Sequence, residues 1–127
     1  MKLQRPGWRG VLAGALLTCG AWSAGAQEAF SYTLAQYTCD GGARVEVRYA
    51  RYGAGGPRFA VVSYSGGVFG LAEAASASGE RYAGLFGPKV DDHGLEWWEA
   101  KGVGTLSKFT GTDTRETKPL LRNCRTR

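Results

Sequence analysis

The stretch ARVEVRY, residues 43–49, alternates without interruption. Side chains of an extended chain point to opposite faces in turn, so Val45, Val47 and Tyr49 share one face and Arg44, Glu46 and Arg48 the other. A second run, RFAVVSY (58–64), sets Phe59, Val61 and Ser63 against Ala60, Val62 and Tyr64. Between them ARYGAGGP (50–57) carries the glycines and proline of a turn. The pattern then repeats in both directions. GVFGLAEA (67–74), ERYAGLF (80–86), LEWWEAK (95–101) and GTLSKF (104–109) follow at spacings of roughly ten residues. FSYTLAQYTC (30–39) opens the series and KPLLRNC (118–124) closes it. No segment sustains a helical period. Short strands joined by glycine-rich turns form an antiparallel sandwich or a small closed barrel. Closure removes the exposed edges that an exported protein must otherwise protect. The expected fold is therefore one all-β domain of seven or eight short strands, from about residue 29 to residue 127.

The first 26 residues stand outside this pattern. Lys2, Arg5 and Arg9 precede an apolar run from Val11, and Ala24-Gly25-Ala26 follows it. That order is the signature of a secretory signal peptide cleaved after Ala26, leaving a domain of residues 27–127. The run is too short and glycine-rich for a membrane-spanning helix. Leu16-Leu17-Thr18-Cys19 approximates a lipoprotein processing site, so lipidation at Cys19 and an outer-membrane location form the alternative to a soluble periplasmic protein. Threonine before the cysteine fits that alternative poorly.

Removal of residues 1–26 changes what the composition implies. The chain has 16 Lys and Arg, 11 Asp and Glu, and a net charge of +5. Three of the basic residues and none of the acidic ones lie in the leader, which leaves thirteen against eleven, or +2. With no long Lys/Arg run either, nucleic-acid binding is not expected. Cys19 leaves with the leader as well. Cys39 and Cys124 remain, one near each end of the mature chain in an oxidising compartment, and a disulfide between them is predicted.

Catalytic equipment is sparse. His93 is the single histidine, next to Asp91 and Asp92. Adjacent loop residues seldom converge on one ion, so DDH reads as a solvated turn, with no metal or cofactor expected. Glu96 and Glu99 lie three apart on a strand and face opposite sides, which argues against a glycosidase pair. SASGE (76–80) lacks the setting of a nucleophile elbow. The chain reads as a binding protein, not an enzyme. Its distinctive residues cluster in ASASGERY (75–82) and in EAKG (99–102), where the glycine favours a tight turn presenting Lys101.

YTCDGGARVEVRY, ASASGERY, WWEAKGVGTL and the terminal LLRNC, taken in order, resemble the MliC/PliC family of bacterial inhibitors of C-type lysozyme. The resemblance runs from about Tyr37 to Cys124 and implies an eight-stranded antiparallel barrel closed by Cys39–Cys124. It also implies that C-type lysozyme is the partner, bound by two loops that enter its active-site cleft. Carried onto this chain, the leading residues are Ser78, before Gly79, and Lys101, with Tyr82 and Gly102 supporting the loop shapes. The segment between Tyr82 and Lys101 is longer than the family hairpin, and FGPKVDDHG within it either adds contacts or obstructs docking. C-type lysozymes are strongly basic, so a mature charge of +2 offers little long-range attraction unless Asp91, Asp92, Glu96 and Glu99 supply it locally. A barrel that binds another envelope partner, a different lysozyme class or a cell-wall glycan, is the alternative.

Adjacent Trp97 and Trp98 must face opposite ways. Parity groups Trp97 with Leu95, Glu99 and Lys101, and Trp98 with Glu96, Ala100 and Gly102. Small Ala100 beside it makes Trp98 the expected core residue. Trp97 is then expected outside, as a rigid wall beside Lys101.

Overall fold

A computed structural model describes residues 30–86, 93–111 and 114–127. Eight antiparallel strands follow one another around a closed barrel in chain order. They are β1 (Phe30–Thr38), β2 (Arg44–Tyr52), β3 (Arg58–Tyr64), β4 (Gly67–Ala74), β5 (Glu80–Phe86), β6 (His93–Ala100), β7 (Val103–Phe109) and β8 (Thr117–Thr126). A single 3-10 turn, Asp40–Gly42, joins β1 to β2. No helix among the described residues is long and apolar enough to cross a membrane.

The alternation seen in the sequence becomes the wall of the barrel. Val45, Val47, Ala60, Val62 and Leu71 are buried in a core with Tyr37, Tyr82, Leu95, Trp97 and Leu106. Cys39 and Cys124 join that core and are bonded to each other. Positive φ at both central residues builds two tight hairpins. Ser65 and Gly66 connect paired Tyr64 and Gly67, and Lys101 and Gly102 connect paired Ala100 and Val103. Two residues in the left-handed region match the twist of the flanking strands.

The tryptophans reverse the sequence expectation. Trp97 is fully buried and Trp98 is 39% exposed. Parity itself holds, because Leu95 and Trp97 point inward together while Glu96 and Trp98 are on the other face. What decides the face is the neighbouring strands. Trp97 lies opposite Tyr82 on β5 and Leu106 on β7, both buried. Gly104 leaves the space its ring occupies: a Cβ there would lie 2.2 Å from the ring's Cη2. Trp97 is thus a core residue and not a wall beside Lys101.

The long segment after Tyr82 is strand for much of its length. Ala83 pairs with Glu96, Gly84 with Leu95 and Phe86 with His93. The β5–β6 ladder thus runs on from Tyr82 and Trp97 to Phe86 and His93, and residues 87–92 lie outside the described residues. His93, read as part of a turn, begins β6 and is exposed. Asp91 and Asp92 lie outside the described residues. Among the described residues no group of three or more His, Cys, Asp or Glu is placed to hold a metal ion.

Candidate functional site

Up-and-down connectivity puts the β4–β5 loop and the β6–β7 turn at one end of the barrel, on adjacent strands. Glu80 is opposite Glu99 in the β5–β6 ladder. The residue before Glu80, Gly79, lies against Glu99 and Ala100. A Cβ on Gly79 would lie 2.2 Å from the Glu99 carbonyl oxygen and 2.9 Å from the Ala100 Cβ. Gly79 also has φ +69°, in the left-handed region that favours glycine. Gly79 therefore allows the Ser78 loop to lie flat against the start of the Lys101 turn.

Trp98 holds the two together. Its indole Nε1 donates to the Ser78 carbonyl at 2.9 Å, and the Ser76 hydroxyl donates to the same oxygen. Arg81, opposite Trp98 on β5, pairs with Glu96 and reaches the Ala75 carbonyl at 3.5 Å. The loop is thus tied down at Ala75 and at Ser78, while the Ser78 side chain stays exposed. Sequence reasoning assigned a role beside Lys101 to the wrong tryptophan. Small Ala100 next to Trp98 is what allows the Gly79 backbone to approach.

Lys101 is exposed with φ +53°. Left-handed backbone costs a non-glycine residue roughly 1–2 kcal/mol, and a two-residue hairpin prefers Asn, Asp or Gly there. Among the described residues no ion pair or hydrogen bond holds the Lys101 side chain. Gly102 completes the turn with φ +75°.

The inner face of the same end is polar. Glu73, Glu80, Glu99 and Arg58 share strand parity with Leu71, Tyr82, Trp97 and Ala60, so all four turn toward the barrel axis. Arg58 donates from Nε and Nη2 to the two oxygens of Glu73, at 3.2 and 2.9 Å, and from Nη1 to Glu80 at 2.6 Å. Tyr82 donates to the other Glu80 oxygen at 3.1 Å. Deeper in, Glu99 accepts from Tyr37 at 2.6 Å and Tyr49 at 2.9 Å, and Trp97 Nε1 donates to the Tyr49 hydroxyl at 2.7 Å. Three carboxylates are held here by one guanidinium and three phenols. Tyr82, expected to support the loop, fixes Glu80 at the barrel mouth. None of these inward carboxylates was identifiable as such in the sequence, because the strands of Glu73 and Glu80 had no assigned buried side and that of Glu99 had the opposite one.

Burial raises the phenol of Tyr82 to about 12, helped by the adjacent Glu80 carboxylate. Tyr37 is pushed up further by burial and by its bond to Glu99, and Tyr49 by burial and its bond to Tyr37. The neutral phenols thus keep their protons in the fold above the ordinary value of 10 at which the unfolded chain releases them. The Tyr82 contribution to stability is complete below 10 and is lost as pH rises through 12. The melting temperature is expected to fall between about pH 10 and about pH 12, and Tyr82→Phe is expected to make that fall shallower. Equal slopes for the two proteins would show that Tyr82 titrates alike in both states.

A family model described as membrane-bound lysozyme-inhibitor of c-type lysozyme, MliC, matches residues 37–115. The match covers most of the barrel, including both loops just described. The chain belongs to the MliC family. No curated protein sequence matches it. The MliC description names an inhibitor, so the family role is binding to lysozyme and not catalysis. The eight-strand barrel and the Cys39–Cys124 bond expected from the resemblance are both present.

Proposed function

We propose that this protein is exported, loses residues 1–26, and inhibits C-type lysozyme in the periplasm by seating Ser78 and Lys101 together in the active-site cleft. The observation that carries the reading is the juxtaposition at one barrel end: Gly79 packed on Glu99 and Ala100, and Trp98 bonded to the Ser78 carbonyl. Two loops held this way enter a cleft as one rigid projection, with little left to order on binding.

The chemistry of the partner fits. C-type lysozyme works with two carboxyl groups, one protonated as general acid and one ionised. The Lys101 ammonium is a compact cation suited to the ionised one. The Ser78 hydroxyl both donates and accepts, so it suits a carboxyl in either state. The plug occupies substrate space and needs no reaction of its own.

The test is inhibition of a hen-egg-type lysozyme by the exported protein. Lys101→Asn is the informative variant, because asparagine suits the turn better than lysine. Inhibition is expected to weaken at least about thirtyfold, the effect of losing a central interface residue, while the melting temperature holds or rises. Ser78→Ala is expected to weaken inhibition without unfolding the loop, whose ties run through the Ser78 carbonyl. No inhibition by the unaltered protein at micromolar concentration would sink the reading. Exposed Trp98 beside acidic residues also suits stacking on a sugar, and binding to peptidoglycan fragments without lysozyme inhibition would select that second reading.

A further inference from the structure

We propose that the protein pairs with a second copy of itself through an antiparallel ladder along β1, centred on Tyr32. β1 bonds to β2 along its whole length, from Phe30 opposite Tyr52 to Thr38 opposite Arg44. Its other edge is reached by β8 only at Tyr37 and Thr38, with one further bond from the Arg127 amide to the Gln36 carbonyl. Among the described residues, Phe30–Ala35 therefore presents an unpaired strand edge.

The Gln36 bond sets the phase of that edge. Peptide groups alternate in direction along a strand, so the N–H and C=O of Phe30, Tyr32 and Leu34 point the same way as those of Gln36, out of the barrel seam. The side chains of these three residues face solvent, at 54%, 67% and 47% exposure. With Ala50, Val61 and the stem of Arg48 they line an apolar groove on the outer wall. Exposed Tyr52 and Phe59 extend it. Natural edge strands are usually blunted by charge, proline or a bulge. FSYTLA has no charge and no proline, and its ladder with β2 runs without a bulge.

The occupant follows from symmetry. A two-fold axis at Tyr32 puts Tyr32 opposite its own copy and Phe30 opposite Leu34, with Ser31 opposite Thr33 on the inner face. All outward-pointing peptide groups of Phe30, Tyr32 and Leu34 then find partners, for about six backbone hydrogen bonds. A one-residue slip turns the apolar face of one copy to the other side. An axis at Thr33 would set Phe30 against Gln36, whose carbonyl is already taken. No charge repels across the axis, and aromatic and aliphatic side chains meet on the outer face. The contact is small, below about 1,200 Å², so the dimer is reversible and concentration-dependent.

Sedimentation velocity on the exported protein over a dilution series is expected to show a monomer–dimer equilibrium. Tyr32→Glu, which brings two carboxylates together at the axis, is expected to leave only monomer with an unchanged melting temperature. Tyr32→Cys supplies a positive test. A hydrogen-bonded antiparallel pair sets Cα atoms about 5.5 Å apart, inside the range a disulfide spans. Oxidation is expected to link Tyr32→Cys into a covalent dimer but not Val68→Cys, which is equally exposed on β4. A wild-type protein that stays monomeric at the highest concentration overturns the proposal. So does a dimer that survives Tyr32→Glu, or cross-linking equally efficient at Val68. Lys101→Asn leaves the dimer intact whether or not it abolishes inhibition, so this result is independent of the lysozyme reading.

Discussion

Replacing Cys39 and Cys124 together with alanine is expected to lower the melting temperature by about 20 °C, the largest effect of any change considered for this fold. The disulfide closes a loop with a sequence separation of 85 residues. Chain-entropy reasoning gives such a loop about 4–5 kcal/mol, and each kcal/mol moves the midpoint of a domain this size by several degrees. Position adds to the effect. The β1–β8 seam that closes the barrel has only the pairs Tyr37–Thr126 and Thr38–Arg125. The side-chain bonds Asn123 to Asp40 (2.7 Å) and Arg127 to Thr38 (2.9 Å) flank it on the surface. Cys39 follows β1 directly and Cys124 sits in β8, so the covalent link stands at the weakest closure of the sheet. Hydrogen exchange on the reduced protein is accordingly expected to open β1 and the end of β8 first, with β6 and β7 still protected. An unchanged melting temperature on reduction would show that the seam holds without its staple.

Gly104→Ala is the second large effect, expected to cost about 3 kcal/mol or more, the upper range for overpacking. An added Cβ would lie 2.2 Å from Cη2 and 2.4 Å from Cζ2 of Trp97. The ring has little freedom to retreat. Tyr37 packs edge-on against it with centroids 4.9 Å apart, and its Nε1 is committed to the Tyr49 hydroxyl at 2.7 Å. The backbone of Gly104 cannot shift outward readily either, being paired with Glu99 on one side and Cys124 on the other. Trp97→Ala alone is expected to cost about 3–5 kcal/mol through the cavity it leaves. The double variant Gly104→Ala/Trp97→Leu is expected to be more stable than the sum of its parts, because the smaller side chain makes room for the methyl group. Strict additivity in denaturant unfolding would mean that the glycine serves the backbone and not the ring.

Much of this protein is legible before any coordinates. Alternation in ARVEVRY and RFAVVSY located β2 and β3 and grouped their residues correctly by face. Glycine after Lys101 indicated the tight turn, and the order of the two late motifs pointed to the family. Cysteine arithmetic, once the leader was set aside, left one pairing. These are local or countable properties, readable from period and spacing.

The misreading at Trp97 and Trp98 has a different origin. A period of two states that adjacent side chains part company, but it does not say which side is inside. Judged within β6, small Ala100 favoured Trp98 as the core residue. That cue failed for reasons outside β6. Tyr37 and Tyr49 arrive from β1 and β2 to satisfy Glu99, and Gly104 on β7 vacates the volume of the Trp97 ring. Leu95, on the parity of Trp97, was the one cue within the strand that pointed the right way.

The sequence by itself determined the strands, their turns, the cysteine pair and the family, because each depends on residues close in the chain or on simple counts. Only the tertiary structure decided which tryptophan is core, which carboxylates turn inward, and that the Gly79 backbone packs against Glu99 and Ala100. Those outcomes depend on the register between strands and on what neighbouring strands place across the barrel, and no single segment carries that information.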